Sequence, residues 1–298
     1  MLVGVWLWYL SSVTNIVERF SNVAFKAFDR ENYNKAVALL LRALKSKKNS
    51  KAALLLLGQS YIGLKDYQKA KETFENLLKL NPKDFDTLFN YAQVLQAENK
   101  YTEANEFYNK ALIENPKSID CYYNLGVVAF KGGAYEKALE SFYKAQELAP
   151  ERIDVSFYIV KCKDEMCSYE TLEDGQSIID EYLELAEQPK LPPSYGVDLA
   201  KAYAKNGQSE EAFEGCKNAL KSNDKDIEAY KLMGLLQLLK NDSPEAKNML
   251  SIAIGLDIRD EEAHNILSYV LCQHDDRCIV DTCRQKYHET IKKLIQKK

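Results

Sequence analysis

The fold class this sequence predicts is all-α: a right-handed α-solenoid of about eight helix-turn-helix repeats. Three observations predict it. First, the chain superimposes on itself at a period of 34 residues. Gly58, Ala92 and Gly126 share one offset, Ala70, Ala104 and Ala138 a second, Phe74, Tyr108 and Phe142 a third, and Pro82, Pro116 and Pro150 a fourth. Second, small residues at fixed places in a repeat of this length mark stacked helical hairpins, each burying its apolar face against its neighbours. Third, only 12 Gly and 7 Pro stand among 298 residues of which 46% are apolar. So few breakers among so much Ala, Leu, Lys and Glu suit helix throughout.

The first element is an apolar segment, residues 1–16. Residues 1–17 carry no ionisable side chain and include Trp6, Trp8 and Tyr9. Anchor, signal peptide and capping helix are all open readings. A 17-residue helix spans about 25 Å against a hydrocarbon core of about 30 Å. Bilayer thinning or snorkelling absorbs such a mismatch, and paired Trp suit an interface. The basic n-region and small-x-small cleavage site of a signal peptide do not stand out. If the segment is an anchor, Arg19, Lys26, Arg30 and Lys35 follow it and no cation precedes it. The positive-inside rule then puts the repeats in the cytoplasm, and residues 1–17 become a candidate membrane contact.

Four regular repeats fill residues 17–152. Each has a first helix, A, with its core face at positions 4, 7, 8 and 11, and a second, B, with its core face at positions 20, 24 and 27. The first repeat reads Phe20, Val23, Ala24 and Ala27, then Ala36, Leu40 and Ala43. The second reads Leu54, Leu57, Gly58 and Tyr61, then Ala70, Phe74 and Leu77. The third reads Leu88, Tyr91, Ala92 and Leu95, then Ala104, Tyr108 and Ala111. The fourth reads Tyr122, Leu125, Gly126 and Ala129, then Ala138, Phe142 and Ala145. Gly or Ala at position 8 with Ala at position 20 lets A and B approach closely, and the bulky residues at 4, 11 and 24 fill the wedge. Proline at position 32 ends helix B; the first repeat has Lys48 there. Gly63, Lys65-Asp66 and Gly132-Gly133 mark the turns between helices.

Residues 153–192 read as an irregular fifth repeat. Val160 and Lys163 occupy positions 8 and 11, helix B runs over 172–187, and a proline-rich loop containing Pro189, Pro192 and Pro193 follows. Three further repeats occupy residues 193–298. The register resumes with Leu199, Ala200, Tyr203, Ala212, Cys216 and Ala219, then Tyr230, Met233, Gly234, Ala246, Leu250 and Ala253. The last repeat, with His264, Leu267, Ser268 and Leu271, is degenerate, as suits a terminal cap.

These residues carry a resemblance to the tetratricopeptide repeat (TPR) family. The second to fourth repeats match its pattern almost throughout, and the likeness extends from residue 17 to about residue 294. It implies a non-catalytic scaffold or adaptor that holds an extended segment of a protein or peptide partner in a concave groove. In this family A-helix positions 2, 5, 6, 9 and 12 face that groove. The candidate peptide-binding residues are therefore Asn22, Asn90 and Asn124 at position 6, Phe89, Tyr123 and Phe157 at position 5, Asp86, Asp120 and Asp154 at position 2, and Gln59 and Gln93 at position 9. A side-chain carboxamide offers an acceptor and two donors, enough to pair with a backbone N–H and C=O together. The stripe resembles the asparagine ladder of a superhelical family member, here interrupted by Leu56. The aromatics and aspartates would favour apolar and basic side chains in the ligand. The competing reading of the same positions is structural, with solvated or capping Asn and rings packed between helices. The family's two-carboxylate clamp needs Lys at 5 and Asn at 9. Ser21 and Phe25, Leu55 and Gln59, and Phe89 and Gln93 stand there instead, so docking of chaperone C-termini is not expected.

Other chemistries find little support. A net charge of −4, from 40 basic and 44 acidic side chains, gives no basic footprint, so no nucleic-acid partner is expected. The chain has seven cysteines, and Cys121, Cys162 and Cys216 fall inside predicted helices as small apolar residues, a usage that favours a reducing compartment. No phosphate loop, nucleophile elbow or metalloprotease helix occurs, so neither enzyme activity nor a cofactor is expected. Cys272, His274, Cys278, Cys283 and His288 offer zinc's ligand types at spacings that match no standard zinc arrangement. A metal- or redox-responsive module built on them is the alternative function, though no metal is expected.

Overall fold

The computed structural model describes residues 17–188 and 190–272. The apolar segment 1–16, Pro189 and the Cys/His cluster beyond Cys272 lie outside the described residues. Among those described, the regular elements are all helices. They are α1 (residues 17–29), α2 (Tyr33–Ser46), α3 (Lys51–Gly63), α4 (Tyr67–Leu80), α5 (Phe85–Ala97), α6 (Tyr101–Glu114), α7 (Ile119–Lys131) and α8 (Tyr135–Leu148), then α9 (Ile153–Met166), α10 (Leu172–Ala186), α11 (Tyr195–Lys205), α12 (Ser209–Ser222), α13 (Ile227–Leu239), α14 (Ser243–Leu256) and α15 (Glu261–Cys272). Odd-numbered helices are the A helices of the register and even-numbered ones the B helices. The expected all-α solenoid of helix hairpins is the fold that forms. Contacts divide the chain into two compact units between Pro150 and Glu151.

In the first compact unit the size code at positions 8, 20, 24 and 27 becomes the core. Ala24, Ala36, Leu40 and Ala43 are fully buried, as are Ala70 and Phe74, Ala92, Ala104 and Tyr108, and Ala138, Phe142 and Ala145. A Cβ on Gly126 would lie 2.5–2.7 Å from three atoms of the Phe142 ring, so the Phe142 ring as placed leaves no room for a side chain at position 126. Where position 8 is alanine, its partner at 24 is Leu40 or Tyr108 and both fit. Val23, expected in the core at position 7, is instead 42% exposed, whereas Leu57, Tyr91 and Leu125 at the same position are buried. Position 7 leans on the preceding B helix: the Tyr91 hydroxyl of α5 donates to Glu75 Oε1 of α4 at 3.1 Å. Among the described residues no helix precedes α1 for Val23 to lean on.

Each A helix of the first compact unit ends in the same turn. Position 15 takes a left-handed conformation in Glu31 (φ 56°), Lys65 (φ 59°), Asn99 (φ 59°) and Gly133 (φ 73°). At Lys65 the turn closes with Lys65 N–H donating to the Ile62 carbonyl at 2.8 Å and Asp66 N–H to the Tyr61 carbonyl at 2.9 Å. That is the paired hydrogen bonding of a Schellman C-cap. The next residue caps helix B. Asp66 accepts from Lys69 N–H at 3.2 Å and Asn32 from Lys35 N–H at 3.2 Å, while Lys100 and Ala134 make no such bond. Of the glycines expected to mark turns, Gly133 does so through its positive φ. Gly63 closes α3 and makes room for the Tyr33 ring.

The second compact unit opens with the irregular repeat. Helix α10 starts three residues later in the register than the other B helices, behind a capping box in which Thr171 and Asp174 bond reciprocally. Val160 at position 8 is too large for close approach, and rings fill the wider gap. Phe157 lies edge-on to Tyr182 with centroids 6.3 Å apart, and Tyr182 lies edge-on to Tyr195 at 6.2 Å. The loop before α10 folds over this cluster. Tyr169, at φ 54°, donates its hydroxyl to the buried Asp164 carboxylate at 2.6 Å, which also receives Lys205 Nζ at 2.9 Å. From α11 onward the expected register returns, with Ala200, Ala212, Cys216, Ala246, Leu250 and Ala253 fully buried.

Candidate functional site

Helical geometry separates core from groove. Positions 7, 8 and 11 of each A helix turn toward helix B, which leaves 2, 5, 6 and 9 on the other side. In the first compact unit those positions of three successive A helices enclose a groove of about 370 Å³. Its walls are Ser21, Asn22 and Phe25 of α1, Ala52, Leu55, Leu56 and Gln59 of α3, and Asp86 and Asn90 of α5. Four of the residues expected from the sequence, Asn22, Gln59, Asp86 and Asn90, come together here.

Their polar groups form a directed chain. Gln59 Nε2 donates to Asn90 Oδ1 at 3.1 Å, and Asn90 Nδ2 donates to the Asp86 backbone carbonyl at 2.6 Å. Asn90 is only 5% exposed, so its carboxamide is engaged within the protein and the more open amide is that of Gln59. The Asp86 carboxylate receives Lys51 Nζ at 3.1 Å, and the same ammonium contacts Asp84 at 2.5 Å. The hydrogen bond to Asp84, working against desolvation, holds the Lys51 ammonium above its ordinary pKa.

Phe25, Leu55 and Leu56 were not among the expected site residues. Phe25 is 57% exposed, and the two leucines are half-buried. Their signal lay in the register, at positions 9, 5 and 6.

The other expected residues lie outside this groove. Phe89 is half-buried and stacks on Phe85 at 6.0 Å with an edge toward Tyr108 at 5.7 Å. The Tyr123 ring lies 6.0 Å from Phe142, and Asn124 Nδ2 donates to the Asp120 carbonyl at 2.8 Å. Gln93 is half-buried on α5. Asp154 and Phe157 belong to the second compact unit. Asp154 is paired with Arg152, whose Nη2 and Nε donate at 2.6 and 3.1 Å. Phe157 is 2% exposed, which corrects its assignment: it is a core residue, drawn inward to fill the gap that the late start of α10 leaves.

Among the described residues no group of His, Cys, Asp and Glu is arranged to hold a metal ion, and no helix is long and apolar enough to cross a membrane. The thiols of Cys121, Cys162 and Cys216 are buried, and burial pushes those of Cys162 and Cys216 up to about 12.

Comparison with known proteins agrees with this architecture. The family model of the cytochrome c-type biogenesis protein H TPR domain matches residues 37–155. No curated protein matches the chain. Among solved structures, a tetratricopeptide repeat protein from Parabacteroides merdae aligns with a TM-score of 0.71 at 18% identity, covering 86% of this chain and 99% of that one. The APC/C hetero-tetramer Cut9-Hcn1 aligns with a TM-score of 0.69 at 16% identity over 88% of this chain and 52% of that one. Pseudomonas aeruginosa pilF aligns with a TM-score of 0.56 at 19% identity over 73% and 96%. Residues 37–155 thus match a tetratricopeptide repeat domain, and the fold of the chain is that of tetratricopeptide repeat proteins.

Proposed function

We propose that this protein is a non-catalytic interaction scaffold whose first compact unit takes an extended segment of a partner protein in the groove between α1, α3 and α5. The observation that carries this reading is the composition of the groove wall. It is built from A-helix positions 2, 5, 6 and 9, where Leu55 and Leu56 edge the core without being buried in it, and it keeps Phe25 largely open to solvent. An aromatic ring left uncovered beside two leucines and a polar amide is the makeup of a recognition surface. The Cut9-Hcn1 hetero-tetramer, which contains a related fold, is in keeping with it. The test is selection from a displayed peptide library on the wild-type chain and on a Phe25→Asp/Leu56→Asp variant. Peptides enriched on the wild type should lose binding to the variant at unchanged helicity; equal enrichment on both would retire the groove.

The match of residues 37–155 to the cytochrome c-type biogenesis domain favours a narrower reading in which the partner belongs to cytochrome c assembly. Loss of haem-stained c-type cytochromes on deletion of the gene would support it, and normal levels would refute it. A membrane tether in residues 1–17 with the repeats in the cytoplasm is an extension of the scaffold reading, tested by membrane fractionation with and without that segment.

A further inference from the structure

The groove's polar chain has a direction, and the direction decides which amide is available. Asn90 donates to a backbone carbonyl of its own helix, which turns its Oδ1 toward α3. Gln59 must then present Nε2 to that oxygen. One Nε2 hydrogen and the Oε1 acceptor of Gln59 are left over, and no partner for either is found among the described residues. A donor and an acceptor on one planar group match the N–H and C=O that an extended peptide shows along one side. Beside this amide, Phe25, Leu55 and Leu56 form the apolar part of the wall, and Asp86 is the one ionisable lining residue. The Asp86 side chain is 56% exposed and spends one oxygen on Lys51. A cation can therefore share this carboxylate, and an anion is repelled by it.

Resting on the groove reading above, we propose that this groove is a side-chain-selective socket for an extended segment of a partner chain. Gln59 reads one peptide group, Phe25, Leu55 and Leu56 seat one bulky apolar side chain next to it, and Asp86 excludes acidic residues at that place. Asn90 is a positioning residue that acts through Gln59. The ladder amide expected at position 6 is thus moved to position 9 of the preceding repeat.

The test is nuclear magnetic resonance titration of the full ¹⁵N-labelled chain with blocked single residues: N-acetyl-phenylalanine N-methylamide and its alanine and aspartate counterparts. The phenylalanine probe should shift resonances of Phe25, Leu55, Leu56 and the Gln59 side-chain amide. The alanine probe should bind about five- to tenfold more weakly, as expected for losing a half-buried ring, and the aspartate probe more weakly still. Gln59→Ala should weaken the phenylalanine probe by about three- to tenfold, the worth of one or two hydrogen bonds. Asn90→Ala should weaken it in part and should move the Gln59 side-chain amide resonances already in the free protein, since it removes the acceptor that orients them. Equal binding of all three probes at the groove resonances would leave the groove standing and overturn the socket. An unchanged Gln59→Ala would overturn the amide's role. Shifts confined to residues outside the groove would retire the groove itself. Shifts of the groove resonances on dilution of the protein alone would give the site to a second copy, against the assignment made here.

Discussion

Gly126→Ala puts the packing logic of the repeat to its hardest test, because two known effects oppose each other there. In an exposed helix this substitution stabilises by about 1 kcal/mol through backbone entropy. At position 126 the new methyl would sit 2.5, 2.6 and 2.7 Å from three ring atoms of Phe142, where ordinary carbon contacts are about 3.5–4.0 Å. The ring must retreat by roughly 1 Å, and it is fully buried. Overpacking of this kind costs about 1–3 kcal/mol. A shift this large in a dense site belongs at the upper end, so after the entropy gain the expected net loss is about 1–2 kcal/mol. Phe142→Leu alone should also destabilise, since it removes buried ring area. The pair together should cost less than the sum, because alanine opposite leucine already occurs in this chain as Ala24 and Leu40. A coupling of about 1 kcal/mol or more is expected. Urea unfolding of the four proteins measures the cycle. Hydrogen exchange of α7 and α8 amides localises the effect, since repeat arrays need not unfold in one step. Gly126→Ala that proves stabilising, or costs that add within about 0.5 kcal/mol, would refute the claim that ring and glycine were fitted to each other.

Two further predictions test the turns and the buried ionisable groups. Lys65→Gly should stabilise by about 0.5–1 kcal/mol, because a left-handed Lys is strained and glycine is not, while Gly133→Ala should destabilise by a similar amount; melting of both variants decides it, and the reverse order would refute the turn assignment. Burial raises Cys162, Cys216, Tyr91 and Tyr195 to about 12, above unfolded values of about 8.5 for Cys and 10 for Tyr. The unfolded chain therefore releases these protons first, so their contribution is complete below about pH 8.5 and is lost as pH rises toward about 12. Stability followed by circular dichroism should fall across that alkaline window, and stability that rises there would refute the burial of these groups.

The fold was legible because its determinants are local in register and unambiguous in size. A glycine or alanine that recurs every 34 residues opposite a bulky residue at position 24 admits few arrangements other than close helix pairs. The irregular repeat was legible only as a break. Val160 at position 8 announced that the helices cannot close up, but the response depends on tertiary partners. Tyr169 reaches Asp164, Lys205 arrives from α11, and no spacing rule connects them. Phe157 was misplaced for the same reason, since its ring partners Tyr182 and Tyr195 are brought to it only by the irregular repeat and α11. In the candidate site, the register pointed to positions that line the groove, and a preference for polar residues then chose among them narrowly. An apolar residue at a groove position looks like core in a sequence, so Phe25, Leu55 and Leu56 passed unremarked. Asn90 looked available because its acceptor role toward Gln59, 31 residues earlier, exists only in the folded stack.

Core and groove draw on different residues of the same helices, and this separation shapes what each substitution can do. Positions 7, 8 and 11 hold each A helix against its B partner, so changing them alters how the groove is held before altering its chemistry. Positions 2, 5, 6 and 9 stand at the edge of the hairpin core or outside it in the groove wall. Gln59, Leu55 and Leu56 are half-buried and Phe25 is exposed, so substitution there should change what is bound at small cost in stability. Asn90 joins the two roles. It stands at a groove position yet is buried; the bond it accepts from Gln59 ties α3 to α5, and the bond it donates to Asp86 within α5 fixes which face Gln59 shows. Replacing it removes a bond between helices and frees the reading amide in one step. Stability and recognition should therefore fall together at Asn90 and separately at Gln59 and Gly126, a contrast expected only if the groove is assembled by the stack rather than carried on any one helix.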